Sequence, residues 1–169
     1  QSLGIATVYQ DLALVDCRDI AANIFLGREP VRGLVVNRKK MFAESEGVLH
    51  RLRTTLPSAR VIVGYLSGGQ RQAVAIARAI SRGGRIMIMD EPTAALGVEE
   101  SEKVNRLIRE LKSHGTSIIV ISHNLAHVFS VADRICVLRQ GRRVGAYDKE
   151  STTAENIVSM ITGAYERKE

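Results

Sequence analysis

The sequence contains no tryptophan, three prolines, two cysteines and 4% aromatic residues. Cys17 and Cys136 are too few for a disulfide framework, and this usage is typical of reduced thiols in a cytosolic compartment. No apolar run is long enough to span a bilayer. The net charge of +6 suits an anionic partner such as a nucleotide or a lipid headgroup. Because the basic residues are scattered and aromatic residues are few, we expect no nucleic-acid partner.

What is present is enough for one globular domain: 169 residues, of which 45% are hydrophobic and 25% charged. One glycine-bearing stretch, residues 66–72, reads L-S-G-G-Q-R-Q. Ser67 can cap a helix, and Gln70 three residues later completes a capping box. Gly68 and Gly69 leave the backbone amides uncovered at the helix N-terminus, where the free N–H groups and the helix dipole favour an anion. The stretch therefore predicts a helix start that a phosphate can approach.

A pair of adjacent carboxylates follows in residues 85–93, which read R-I-M-I-M-D-E-P-T. The continuous apolar run predicts a strand buried on both faces, as in a parallel sheet. Asp90 and Glu91 then lie at its carboxyl end, where open α/β sheets bind ligands. Two neighbouring acids suit Mg²⁺ coordination and water activation. Taken alone, the segment is equally consistent with a strand that runs into an acidic turn.

A second apolar strand, residues 117–121, ends in I-S-H at His123. In this order the three motifs resemble those of the ATP-binding-cassette (ABC) ATPases. Residues 66–72 are similar to the signature motif of that family, residues 85–93 to its Walker B segment with the catalytic glutamate, and His123 to its switch histidine. Gln10, at the end of a predicted strand, is similar to the glutamine of the Q-loop.

The resemblance implies an α/β fold of the P-loop NTPase type, in which a mostly parallel sheet has flanking helices and a helical subdomain. It also implies catalytic roles for Glu91, as general base, and for His123, which would orient the attacking water. ATP and Mg²⁺ are the implied cofactors, with Asp90 and Gln10 on the metal. The residues implied in nucleotide binding are Gln10, Ser67, Gly68, Gly69, Gln70 and Asp90.

The resemblance divides the chain into three parts: residues 1–10 form the Q-loop strand, 11–64 the helical subdomain, and 65–169 the signature helix with the C-terminal ATPase core. The implied partners are a second copy packed head to tail, permease subunits in the membrane and, indirectly, a sugar-binding protein outside the cytoplasm. The phrases N-I-F-L-G-R-E at 23–29 and A-A-L-G at 94–97 favour a carbohydrate importer at the cytoplasmic face of the membrane. The second phrase has Gly97 where the family often has aspartate, which leaves open how its two nucleotide sites are coupled.

No G-x-x-x-x-G-K-[ST] phosphate loop occurs, and no glycine is followed by lysine. The family has this loop upstream of the Q-loop. We therefore expect an N-terminally truncated cassette that is inactive alone and has unpaired strand edges and uncovered apolar surface. Two other interpretations stay open: an ABC-type ATPase of DNA repair or chromosome structure, which would show a long coiled coil before the signature, and a lobe that docks without hydrolysis.

Three further residues carry local predictions. Asn37 and Asn124 precede helical patterns and are expected to cap them. His127, on the helix that follows Asn124, is expected to be a surface residue rather than a ligand.

Overall fold

A computed structural model describes residues 3–52 and 56–164. Contacts within the chain divide it into two compact units, Gln1–Ile121 and Ser122–Glu169. The functional division into residues 1–10, 11–64 and 65–169 stays a prediction. None of the helices in the described part of the chain is long and apolar enough to cross a membrane.

The first unit combines a parallel sheet, a short hairpin and helices. Its strands are β1 (Ile5–Val8), β2 (Val31–Arg32), β3 (Val35–Val36), β4 (Ile86–Asp90) and β5 (Ser117–Ile121). Its α-helices are α1 (Ile20–Phe25), α2 (Arg38–Arg51), α3 (Gly68–Ser81) and α4 (Val98–Ser113). A 3₁₀ turn at Val63–Tyr65 leads into α3.

The sheet has the order β1-β4-β5, and both pairings are parallel. Val8 lies opposite Met89, and Asp90 lies opposite Ile121. The carboxyl ends of all three strands therefore meet at one edge, as the α/β fold class requires.

Burial of the sheet differs between its two faces. Met87 and Met89 of β4 are fully buried, whereas Ile86 is 36% exposed. The prediction that this strand is buried on both faces is therefore wrong for one face, which the described residues cover only in part. On β5, Ile119 and Ile121 are 52% and 51% exposed, in agreement with the expected uncovered apolar surface.

The helices of the first unit are fixed by caps and by apolar packing. Asn37 caps α2 by accepting a hydrogen bond from the Lys40 amide at 3.0 Å, as predicted. Helix α3 contacts α1, α2, α4 and β1, so it lies at the centre of the unit. The largest fully buried apolar side chains of this core are Ile20, Ile24, Val63, Val74, Ile76, Met87 and Met89.

The second unit is a helix, a hairpin and a closing helix: α5 (Leu125–Val131), β6 (Arg134–Arg139), β7 (Arg142–Asp148) and α6 (Ala154–Thr162), with a 3₁₀ turn at Lys149–Ser151. Gln140 and Gly141, with φ of 47° and 74°, join the two strands in the left-handed conformation of a type I′ turn. The core cluster of this unit consists of Ile135, Val137, Ile157 and Met160.

Asn124 caps α5 as predicted, accepting from the His127 amide at 3.1 Å. The prediction that His127 lies at the surface is wrong, because its exposure is only 5%. The apolar residues Leu125, Val128 and Phe129 of this seven-residue helix are themselves only partly buried. Their spacing therefore could not fix which side of the helix is covered.

Candidate functional site

The start of α3 is a complete capping box. The Ser67 hydroxyl accepts from the Gln70 amide at 3.4 Å, and the Gln70 side-chain oxygen accepts from the Ser67 amide at 3.0 Å. This confirms the prediction from sequence. The amides of Gly68 and Gly69 make no hydrogen bond within the described ranges, because the first amides of a helix have no intrahelical acceptor. They are therefore available to an anion.

Both glycines also lie close to residues at the start of α4 and just before it. A Cβ atom at Gly68 would lie 2.8 Å from Cδ2 of Leu96, and one at Gly69 would lie 3.1 Å from Cβ of Glu100. Gly97 is the N-cap of α4 and supplies no side-chain hydrogen bond there. An aspartate at this position could supply one.

The paired carboxylates lie where β4 ends. Asp90 is the last residue of the strand, and both carboxylates are partly buried. Glu91 follows with φ of 47°, an unusual conformation for a residue with a side chain. The Glu91 amide donates to the carbonyl of Ile121 on β5 at 2.9 Å, and its carbonyl accepts from the Ala94 amide at 3.0 Å. These two bonds hold the strained turn in place.

Gln10 reaches the same edge of the sheet from the neighbouring strand. Because Val8 pairs with Met89 in parallel register, Gln10 comes two residues past the pairing on β1, as Glu91 does on β4. Gln10 is exposed. The structure thus brings Gln10, Asp90 and Glu91 to one edge, while Ser67, Gly68, Gly69 and Gln70 lie at the start of α3.

Two arginines of α3 hold the segment that follows Gln10, and the sequence analysis missed them. Arg78 donates to the carbonyls of Leu12 and Ala13, and Arg71 pairs with the Asp16 carboxylate. Burial lowers the pKa of the Arg78 guanidinium, and the neighbouring Arg82 lowers it further. The signal available in the sequence was an arginine within the small-residue run A-I-A-R-A at 75–79.

Asn23 holds the other end of the same segment and was also missed. It is fully buried. Its side-chain oxygen accepts from the Val15 amide at 2.7 Å, and its side-chain nitrogen donates to the carbonyls of Val15 and Asp19 at 3.0 and 3.1 Å. A lone amide within the apolar run I-A-A-N-I-F was the available signal. The segment between Gln10 and α1 is therefore fixed by side chains from both α1 and α3.

His123 belongs to the second compact unit and is exposed. Its predicted role therefore continues to rest on its position two residues after β5.

The donor set at the sheet edge fits a magnesium ion that a nucleotide helps to bind. The described residues contain no group of three or more histidine, cysteine, aspartate or glutamate side chains that could hold a metal. Mg²⁺ in phosphoryl-transfer sites is bound by one or two carboxylates, with phosphates and water completing its octahedron. The carboxylates of Asp90 and Glu91, with Gln10 at the same edge of the sheet, supply such a partial set.

The chain matches known proteins along nearly its whole length. A family model described as ABC transporter matches residues 2–94. The xylose/arabinose import ATP-binding protein XylG of Sulfolobus acidocaldarius is 46% identical over 96% of this chain and 64% of its own length. The fructose import ATP-binding protein FrcA of Rhizobium meliloti is 45% identical over 96% of this chain and 66% of its own length. The chain thus spans slightly less than two thirds of these two relatives.

A solved structure supports the same placement. A dimeric ATP-binding cassette in a post-hydrolysis state, bound to ADP and Pi, superposes with a TM-score of 0.67 at 26% identity. The match covers 86% of this chain and 62% of that one. The predicted fold class, a P-loop NTPase-like sheet with flanking helices, is confirmed.

Proposed function

The chain belongs to the ABC transporter family, and on that premise we propose that the intact protein is the ATP-hydrolysing subunit of a carbohydrate importer. The names of the xylose/arabinose and fructose import relatives support the substrate class. The observation that carries the proposal is the placement of Gln10, Asp90 and Glu91 at one edge of a parallel sheet, with the capped glycine start of α3 on a separate element.

The chemistry that this arrangement suits is phosphoryl transfer to water. Glu91, partly buried and held by the turn after β4, is the proposed general base that takes a proton from the attacking water. Asp90 is the proposed ligand of Mg²⁺ and its waters, with Gln10 alongside. When bound, Mg²⁺ neutralises charge on the phosphates. His123 is the proposed contact to the terminal phosphate that orients the water.

The start of α3 is proposed to serve a second nucleotide, held mainly by another copy of the protein. The unpaired amides of Gly68 and Gly69 and the hydroxyl of Ser67 would donate to its terminal phosphate, and Gln70 keeps Ser67 in place through the capping box. The dimeric state of the matched cassette supports such a pairing. Permease subunits, contacted by the helical subdomain, and an external sugar-binding protein are the further proposed partners, which places the protein at the cytoplasmic face of the membrane.

The test is steady-state ATP hydrolysis by the intact protein. Replacing Glu91 with Gln should lower turnover at least about 100-fold, because general-base catalysis contributes a factor of this size, while ATP binding persists. Glu99→Gln, at the exposed start of α4, is the matched control and should hydrolyse ATP like the wild type. If the Glu91 and Glu99 variants hydrolysed ATP at the same rate, Glu91 would not be the general base.

The substrate class is tested separately by uptake of labelled sugars and amino acids in cells with and without the gene. Loss of pentose or hexose uptake alone supports a carbohydrate importer. Normal sugar uptake together with sensitivity to DNA damage would instead favour the repair-type ATPase.

A further inference from the structure

The β2–β3 hairpin presents aliphatic side chains to solvent. Val31, Leu34 and Val35 are 64%, 104% and 71% exposed. Arg32 pairs with Val35 across a two-residue turn. Gly33 takes the first central position of that turn with φ of 63°, as a type II′ turn requires. Leu34 takes the second position and therefore lies at the tip of the hairpin.

Positive charge predominates in the sequence that forms and follows the hairpin. Residues 31–40 contain Arg32, Arg38, Lys39 and Lys40 and no carboxylate. Arg38 pairs with Asp19 at 3.3 Å and Lys40 with Glu44 at 3.7 Å, and both cations are more than half exposed. The hairpin and the first turn of α2 thus combine exposed aliphatic groups with an excess of cations.

An open groove of about 660 Å³ continues this charged surface along α2. Arg38, Lys39 and Arg60 line it, together with Phe42, and the Arg60 guanidinium stacks 4.1 Å from the Phe42 ring centre. The one carboxylate in the lining belongs to Glu46. That carboxylate already accepts from the Ala59 amide at 2.8 Å and from the Ser58 hydroxyl at 3.0 Å. Three cations against this one carboxylate leave the lining positively charged, with Arg38 also paired to Asp19.

We propose that the β2–β3 hairpin and this groove contact the surface of an anionic phospholipid membrane. The aliphatic tip would enter the interfacial region, and the cations would bind headgroup phosphates, as in peripheral proteins that combine the two interactions. Nucleic acid fits the surface less well, because the aromatic ring in the groove lining, Phe42, is only 8% exposed and has the Arg60 guanidinium over it, which leaves little of the ring for a base to stack on. The contact needs no nucleotide and goes beyond the proposed function.

The experiment measures cosedimentation of the intact protein with vesicles in the absence of nucleotide. We expect binding to vesicles that contain phosphatidylglycerol, weaker binding as salt is added, and little binding to phosphatidylcholine alone. The double variant Arg32→Gln/Lys39→Gln should bind roughly 25-fold more weakly, since each cation near an anionic surface contributes about fivefold. Leu34→Ser should bind about tenfold more weakly, through lost apolar burial.

The β6–β7 hairpin supplies matched controls, because Leu138 is 70% exposed and Arg142 and Arg143 are exposed cations. Leu138→Ser and Arg142→Gln/Arg143→Gln should bind vesicles like the wild type. Far-UV circular dichroism and thermal melting check that every variant folds, and ATP turnover in detergent should be unchanged throughout. Vesicle binding thereby tests the lipid contact independently of ATP turnover, which tests the proposed ATPase.

Four outcomes would overturn the proposal: equal binding to the two vesicle types, no binding at all, wild-type binding by the hairpin variants, or equal losses in the control hairpin. A fifth is normal vesicle binding by the Leu34 variant with loss of copurifying permease, because it would assign the surface to a protein partner.

Discussion

The guanidinium of Arg78 on α3 donates to the carbonyl oxygen of Ala13 at 2.8 Å, and so connects α3 to the segment that follows Gln10. Replacing Arg78 with Met should lower the free energy of unfolding by about 2 kcal/mol, because hydrogen bonds from a charged donor to two carbonyls are lost. Urea denaturation measures the change. Arg106→Met, at an exposed position of α4, is the control and should shift stability by less than about 0.5 kcal/mol.

Arg78→Lys separates charge from geometry at this position. A lysine keeps the positive charge but cannot present the planar pair of donors that reaches Leu12 and Ala13 together. We expect a stability between those of the wild type and Arg78→Met. A lysine variant as stable as the wild type would show that charge alone holds the segment.

Two glycines in helices should respond to alanine with opposite signs. Gly47 lies inside α2, where a Cβ would meet nothing within 4 Å, so Gly47→Ala should raise the free energy of unfolding by about 0.5–1 kcal/mol. Gly69→Ala should lower it by about 1–3 kcal/mol, because the new Cβ would lie 3.1 Å from that of Glu100. Thermal or urea unfolding of both variants tests the pair. If Gly69→Ala had a higher free energy of unfolding than the wild type, α4 would have to move away from the new Cβ without loss of stability.

Substitutions of Ser67 should separate stability from nucleotide chemistry. Ser67→Ala removes the helix cap and should lower stability by about 1 kcal/mol. Ser67→Asp keeps a capping oxygen and should preserve stability, yet it places a negative charge where a phosphate is proposed to bind. ATP turnover should therefore fall more in the aspartate variant than in the alanine variant. A lower ATP turnover in Ser67→Ala than in Ser67→Asp would contradict the proposal that a phosphate binds at the start of α3.

The buried amide of Asn23 should tolerate no apolar replacement. Asn23→Leu leaves the Val15 amide without its acceptor inside the protein, at a cost of about 1–3 kcal/mol. The carbonyls of Val15 and Asp19 lose a side-chain donor but keep their backbone donors, the amides of Arg18 and Asn23. Asn156→Leu, at an exposed position of α6, controls for the change in side chain. Near-wild-type stability of Asn23→Leu in urea would show that water replaces the amide.

Local signals explain what the sequence could predict. The capping box at Ser67 and Gln70 lies within four residues, so the pattern identifies both partners. The apolar runs of β4 and β5 are followed by Asp90, Glu91 and His123, polar residues of the kind that bind ligands at the carboxyl edge of a parallel sheet. The parallel register of β1 and β4 then brings Gln10 to the same edge as Asp90 and Glu91.

The features that the sequence did not reveal depend on distant parts of the chain. Arg78 meets Ala13 across 65 positions, and no spacing rule connects them. The exposure of Ile86 depends on which elements cover that face of the sheet, which an apolar run alone does not specify. His127 is buried by the tertiary packing of a short helix, where three apolar neighbours fit more than one orientation.

The left-handed backbone of Glu91 has a practical consequence for engineering. A residue without a Cβ would relax that turn, so a library screened only for heat tolerance should enrich glycine at position 91. The same library screened for nucleotide turnover should discard those clones. Directed evolution for thermal stability should therefore select glycine at position 91, whereas selection for ATP turnover should retain glutamate.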